Sequence, residues 1–116
     1  MSRSRSAAAV RAGDAAPLFA ALGDPTRLRL VGRLSTEGPL SIARLSDDAG
    51  VTRQAVTKHL HALMEAGLVR GNRSGRERIF ELEPRRLERA RRYLDQISLE
   101  WDAALSRLQA FIEEHD

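Results

Sequence analysis

Apolar residues recur along this chain at two different intervals, and the change from one to the other divides it. Between residues 16 and 63 they fall three and four apart, the spacing of a helix face turned to a core. Leu18, Phe19 and Leu22 form the first such group, predicting a short helix over 16–22 that Gly23 ends. In "GDPTRLRLVGRLS", Asp24 is a good N-cap, Pro25 fits the first helical position, and Leu28, Val31 and Leu34 give a buried stripe, so a second helix is predicted to about Ser35. "TEGPL" interrupts it. Ser41 then caps a third predicted helix over about 42–49, with Ile42 and Leu45 inward and Asp47 and Asp48 outward. Gly50 permits a tight turn, and Thr52 caps a helix over about 52–65 whose Val56, Leu60 and Leu63 share one face. Helix, short Gly turn, helix is the order of a helix-turn-helix.

Beyond Gly67 the period shortens. Leu68 and Val69, then Ile79, Phe80 and Leu82, flank a tip rich in Gly, Asn, Ser and Arg, which predicts a two-stranded hairpin. Pro84 opens a last helix, about 84–114, in which Leu87, Ala90, Leu94, Ile97, Trp101, Ala104, Leu108 and Phe111 alternate three and four apart as an unbroken heptad seam. A helix of roughly 30 residues is about 45 Å long, more than a domain of this size covers by itself, so the seam needs a partner. Leu105 and Ile112 widen it, and the first helix adds to the same surface. The expectation is a homodimer through Leu18, Phe19, Leu22, Leu94, Ile97, Trp101, Leu105 and Leu108. The fold class is therefore mainly α with a small β-hairpin: a winged helix-turn-helix with a long C-terminal dimerisation helix. Residues 1–14 mix Ser, Arg, Ala and Gly without periodicity and read as a disordered arm, and 15–116 as a single domain.

Composition narrows this picture in four ways. With 42% hydrophobic but only 4% aromatic residues, the core must be mostly Leu, Val, Ile and Ala. No run approaches the ~18 apolar residues of a membrane span, and the N-terminal residues lack the apolar stretch of a secretory signal, so the expectation is a soluble cytoplasmic protein with no membrane partner. Cysteine is absent, which removes disulfides, thiolate metal sites and redox thiols. The net charge of +3 is modest, but residues 51–78 hold six basic against two acidic side chains, while 79–116 hold six against nine. A basic centre in a near-neutral chain marks a local polyanion-binding surface.

The helix over 52–65 carries that centre on its second face, where Arg53, Gln54, Thr57, Lys58 and His61 follow one another. In the major groove of duplex DNA, Arg can bond guanine O6 and N7, Gln can bond adenine N6 and N7, and a Thr methyl can meet thymine. Arg53, Gln54 and Thr57 supply all three from the N-terminal half of the second helix of the motif, the end that enters the groove. Lys58 and His61 suit phosphates. The wing over 70–78 projects Arg73, Arg76 and Arg78 towards an adjacent minor groove. A polar helix face alone, or a basic hairpin tip alone, is ordinarily just solvated; their succession, with the seam after them, points to DNA. The alternative is a winged-helix module that binds an acidic protein without specific DNA binding, for which the mixture of Arg, Gln and Thr is more than charge matching requires.

"ALGDPTRLRLVGRL", "VTRQAVTKHLHALMEAGLV" and "RSGRERIFEL" resemble the corresponding segments of the ArsR family of bacterial winged-helix transcriptional regulators, over about residues 17–83. The resemblance implies a dimer that binds an inverted-repeat operator in double-stranded DNA and represses a nearby promoter until a signal releases it. It matches Arg53, Gln54, Thr57 and Lys58 to the recognition-helix contacts and Arg76 to the wing arginine, and it pairs protomers through the first and last helices. Metal-sensing members use cysteines before the recognition helix, or Asp, His and Glu on the last helix. Here the histidines are His59, His61 and His115, the last beside Glu113, Glu114 and Asp116. The resemblance therefore carries DNA binding without metal sensing, and neither metal nor cofactor is expected. His59, next to the apolar stripe, reads as a packed or capping residue, Trp101 as interface core, and "RRLERARRYL" as a solvated face with Glu88 in ion pairs. There is no phosphate loop, nucleophile elbow or carboxylate pair near a histidine, so no enzyme is expected.

Overall fold

Each helix start that a cap residue marks in the sequence is where a helix starts. In the computed structural model, which describes residues 9–115, the order is α1 (Ala12–Leu22), α2 (Pro25–Glu37), β1 (Leu40–Ser41), α3 (Ile42–Ser46), α4 (Arg53–Glu65), β2 (Val69–Ser74), β3 (Glu77–Leu82) and α5 (Pro84–Glu114). The Asp24 carboxylate accepts from the Thr26 and Arg27 amides at the head of α2, Ser41 accepts from Arg44 N at the head of α3, and Thr52 accepts from Ala55 N at the head of α4. Pro84 occupies the first turn of α5, where its missing N–H costs nothing. Gly38, with φ of 84°, ends α2 in a conformation that a side chain would disfavour.

Leu30, Leu34, Leu45, Val56, Leu60, Leu63, Leu68 and Phe80 meet in one core, closed on one side by α1 and by Ala90 of α5. The three strands order β1-β3-β2, both pairings antiparallel, with Leu40 opposite Phe80 and Val69 opposite Leu82. At the hairpin tip Ser74 pairs Glu77 around Gly75 and Arg76. The positive φ of 65° at Gly75, first of the two central residues, is what a type II′ turn requires.

Five expectations need correction. α1 begins at Ala12 and not near residue 16, so that Pro17 lies inside it, where its missing N–H gives up one backbone bond. Of the arm expected over 1–14, residues 12–14 are thus helical, and residues 1–8 lie outside the described residues. α2 buries Leu30 and Leu34, while Leu28 faces out, since Leu28 and Leu30 lie too far round the helix to share a face. α3 stops at Ser46 and Asp48 adopts a positive φ of 57°, so the segment to Ala49 is a turn. Finally, Leu18 is only 1% exposed and belongs to the protomer's own core, leaving it no surface for an interface. The two-residue strand β1 was not foreseen; only its pairing with β3 defines it.

Candidate nucleic-acid interface

The polar side of α4 is free. Val56, Leu60 and Leu63 are fully buried, whereas Arg53, Gln54, Thr57, Lys58 and His61 are all exposed on the opposite side. The Thr57 hydroxyl donates to the Arg53 carbonyl at 3.0 Å, so what Thr57 has left to offer a ligand is its methyl group and an acceptor oxygen. Arg53 opens the helix directly after its Thr52 cap, where the backbone N–H groups and the positive end of the helix dipole add to its charge.

The wing divides electrostatically into a neutralised base and an uncompensated tip. Arg70 at the base bonds Glu81 Oε1 at 2.7 Å and Glu83 Oε2 at 3.0 Å, pairs that raise the guanidinium pKa above its ordinary value, through the Glu81 hydrogen bond first. Towards the tip, Arg73 stands directly opposite Arg78 in the ladder. Like charges facing each other across strands destabilise a hairpin unless something neutralises them. Among the described residues none of Arg53, Lys58, Arg73, Arg76 or Arg78 is in an ion pair.

Arg78 does not swing free. Its guanidinium carbon lies 5.2 Å from the centre of the Phe80 ring, and its Nη2 reaches Met64 Sδ of α4 at 3.8 Å. Gly71 leaves the room for this crossing, since a Cβ there would stand 2.9 Å from Arg78 Nε. The wing is thereby laid against α4. Between the two, Arg53, Arg73, Arg76 and Arg78 line one cleft of about 360 Å³ with Glu77 and the Ser41–Ala43 corner at the start of α3. A cleft with four arginines and one acid concentrates anions.

Of the residues singled out in the sequence, Arg53, Arg73, Arg76 and Arg78 converge on this cleft, while Gln54, Thr57, Lys58 and His61 form the adjoining face of α4. The strand register places Arg78 across from Arg73. His59 points the other way, towards α2, with its Nδ1 accepting from Arg27 Nε at 3.2 Å. His115 folds back on Phe111, its Nδ1 2.8 Å from the Phe111 carbonyl and the rings stacked at 4.1 Å. Among the described residues no three His, Asp or Glu side chains cluster as ligands of a metal ion would, and no described helix is long and apolar enough to cross a membrane.

On α5, Leu94 (51% exposed), Trp101 (63%), Leu105, Leu108, Phe111 and Ile112 all face solvent, and Ile97 is half-buried. Phe19 and Leu22 of α1 are half-buried beside them, with Phe19 and Tyr93 ring centres 6.0 Å apart.

Comparison with known proteins places the same region in one group. A helix-turn-helix domain family matches residues 22–72. The HTH-type transcriptional regulator Rv2034 of Mycobacterium tuberculosis is 38% identical over 93 residues, 80% of this chain and 83% of that protein. The solved structure of an ArsR-like transcriptional regulator from Rhodococcus sp. RHA1 superposes with a TM-score of 0.70 at 34% identity, over 85% of this chain and 92% of that one. The transcriptional repressor BigR from Xylella fastidiosa superposes with a TM-score of 0.60 at 29% identity, over 70% of this chain and 83% of that one.

Proposed function

Because this chain belongs to the ArsR family of winged-helix transcriptional regulators, we propose that it acts in the cytoplasm as a homodimeric repressor, seated on an inverted-repeat operator and covering a nearby promoter. The chain from Ala12 onward works as one domain. α4 lies in the major groove, where Arg53, Gln54 and Thr57 meet base edges and Lys58 and His61 meet phosphates. The wing follows the backbone to the minor groove with Arg73 and Arg76. No metal or cofactor takes part in this reading.

The observation that carries it is the cleft. Arg53 comes from the recognition helix and Arg73, Arg76 and Arg78 from the wing, yet they line one space with a single acid among them. A surface built for an acidic protein would need charge alone; this one continues into Gln54 and Thr57, whose hydrogen bonds and methyl group suit base edges.

Dimerisation rests on the uncovered seam of α5. Its 31 residues run about 45 Å, and Leu94, Trp101, Leu105, Leu108, Phe111 and Ile112 lie exposed among the described residues, with Ile97 half-buried. A second copy supplies an identical seam, Leu94, Ile97, Trp101, Leu105 and Leu108 packing about a two-fold axis with Phe19 and Leu22 at the margin. Such an axis presents two equivalent recognition helices, which is why the operator should be an inverted repeat. BigR is a transcriptional repressor, and for this chain repression follows from occupying a promoter.

Fluorescence anisotropy of the purified protein on duplex from its own upstream region, against scrambled duplex and titrated in salt, tests the reading. Preference of about a thousandfold or more for the upstream duplex is the expected result. Equal, steeply salt-dependent binding to both would reduce the surface to a phosphate reader, and absence of binding would turn attention to a protein partner.

A further inference from the structure

The inner side of α4 is held by apolar packing, but one polar link also joins it to α1, and it passes through a single guanidinium. Arg27, in the first turn of α2, donates from Nε to His59 Nδ1 at 3.2 Å and from Nη1 to the Ala21 carbonyl at 3.2 Å. The Ala21 carbonyl lies in the last turn of α1, among those a helix leaves without an internal partner. A planar, permanently charged group with its donors in a fixed fork, bonded at both sides, sets the spacing between the end of α1 and the middle of α4.

A second partner stands beside it. The Asp24 carboxylate, already accepting from Thr26 N at 2.8 Å and Arg27 N at 3.1 Å, lies 3.8 Å from the same His59 Nδ1. With its proton on Nε2, the imidazole accepts from Arg27. With Nδ1 protonated it can only donate, it repels Arg27, and the acceptor within reach is Asp24. Asp24 and Arg27 are the charged side chains that reach His59 among the described residues. α1 presents only a carbonyl, the flanking positions of α4 are Ala55, Val56, Ala62 and Leu63, and no ionisable group of α3 or β2 comes within ion-pair distance. α1 in turn packs on α5 through Phe19 and Tyr93.

We propose that Arg27 is a positioning residue: its contact with His59 keys the set of the recognition helix to α1. The joint thereby ties α4 to the same surface through which α1 and α5 meet a partner. It rests on the DNA-binding reading for its consequence and on the Arg27, His59 and Asp24 geometry for its existence, and the two are tested apart.

Hydrogen–deuterium exchange on the DNA-free protein reads the joint. Arg27→Gln should speed exchange in α4 and in the last turn of α1 by about tenfold, with α5 unchanged. His59→Gln, which keeps an acceptor for Arg27, should exchange like wild type, and His59→Leu, which has none, should reproduce Arg27→Gln. Operator affinity should fall in Arg27→Gln and hold in His59→Gln. Unaltered α4 exchange in Arg27→Gln, a uniform acceleration of every helix, or unaltered operator affinity would each overturn the proposal. If wild type binds no duplex, the DNA-binding reading fails while the exchange pattern still decides the joint.

Discussion

Arg73 and Arg78 stand directly opposite each other in the wing ladder, with no acid paired to either among the described residues. A cross-strand pair of like charge makes the free wing less stable than it could be, and a phosphate between them removes that cost. Replacing Arg73 with Glu should therefore do two opposite things. Thermal melts of the free protein should show a gain of about 0.2–1 kcal/mol, the usual worth of an opposite-charge pair. Anisotropy titrations should show weaker DNA binding and a salt slope shallower by about 2, for a charge reversal at one phosphate contact. A variant that neither stabilises the wing nor flattens the slope would mean that Arg73 meets no phosphate.

On α4 the outer residues should separate by role. Arg53→Ala or Gln54→Ala should cost about 1–3 kcal/mol on the operator and relax base preference at one position, since each removes a bidentate contact, two donors from Arg53 and a donor with an acceptor from Gln54. Lys58→Ala should weaken operator and scrambled duplex alike. Selection of preferred sequences from a randomised duplex pool checks this, and equal losses on both duplexes for all three variants would defeat the assignment.

The seam and the core make opposite predictions for two sets of leucines. Leu94→Asp with Ile97→Asp should leave a folded protomer that sediments near 12.9 kDa, where wild type at micromolar concentration should give about twice that mass. Leu18→Ala should cost about 2–5 kcal/mol of unfolding free energy, the range for a leucine removed from a packed core. If the double variant stays dimeric, α5 is not the interface.

Asp24 gives a pH signature. Backbone hydrogen bonding from Arg27 first, then from Thr26, with the neighbouring charges of His59 and Arg27, holds its carboxyl below the ordinary aspartate value. A pKa lower in the folded state means the group stabilises the fold above its unfolded pKa and loses that contribution as pH falls through the folded one. The difference in melting temperature between wild type and Asp24→Ala should accordingly be full at neutral pH and close below about pH 4. A gap independent of pH would mean that the carboxylate charge plays no part in capping α2.

What was legible in the sequence was whatever local chemistry decides. Asp24, Ser41 and Thr52 cap the helices they announce, and the faces of α4 divide as their spacing dictates, because a helix terminus and a helix face are fixed within a few residues. What was hidden depended on partners far along the chain. β1 is two residues long and exists only through its bonds to β3, forty residues on. Leu18 and Phe19 look alike as apolar neighbours, yet the turn of α1 sends Leu18 into the core and leaves Phe19 beside Tyr93. Of the cleft, Arg53, Arg73, Arg76 and Arg78 could be picked out by position and charge, but that Arg78 crosses Gly71 to rest on Phe80 is decided by strand register. The role of Arg27 left no mark at all, since the contact joins residues thirty-two apart through an uncapped carbonyl.

The chain contains a single tryptophan, and it lies on the outward seam of α5 rather than anywhere near α4 or the wing. Indole emission shifts to shorter wavelength when the ring leaves water, so the intrinsic fluorescence of the unlabelled protein is a gauge of that one helix face. Diluting the sample and following the emission maximum would trace the coverage of the seam, and adding duplex DNA would report on it from a distance, uncontaminated by any indole at the nucleic-acid surface.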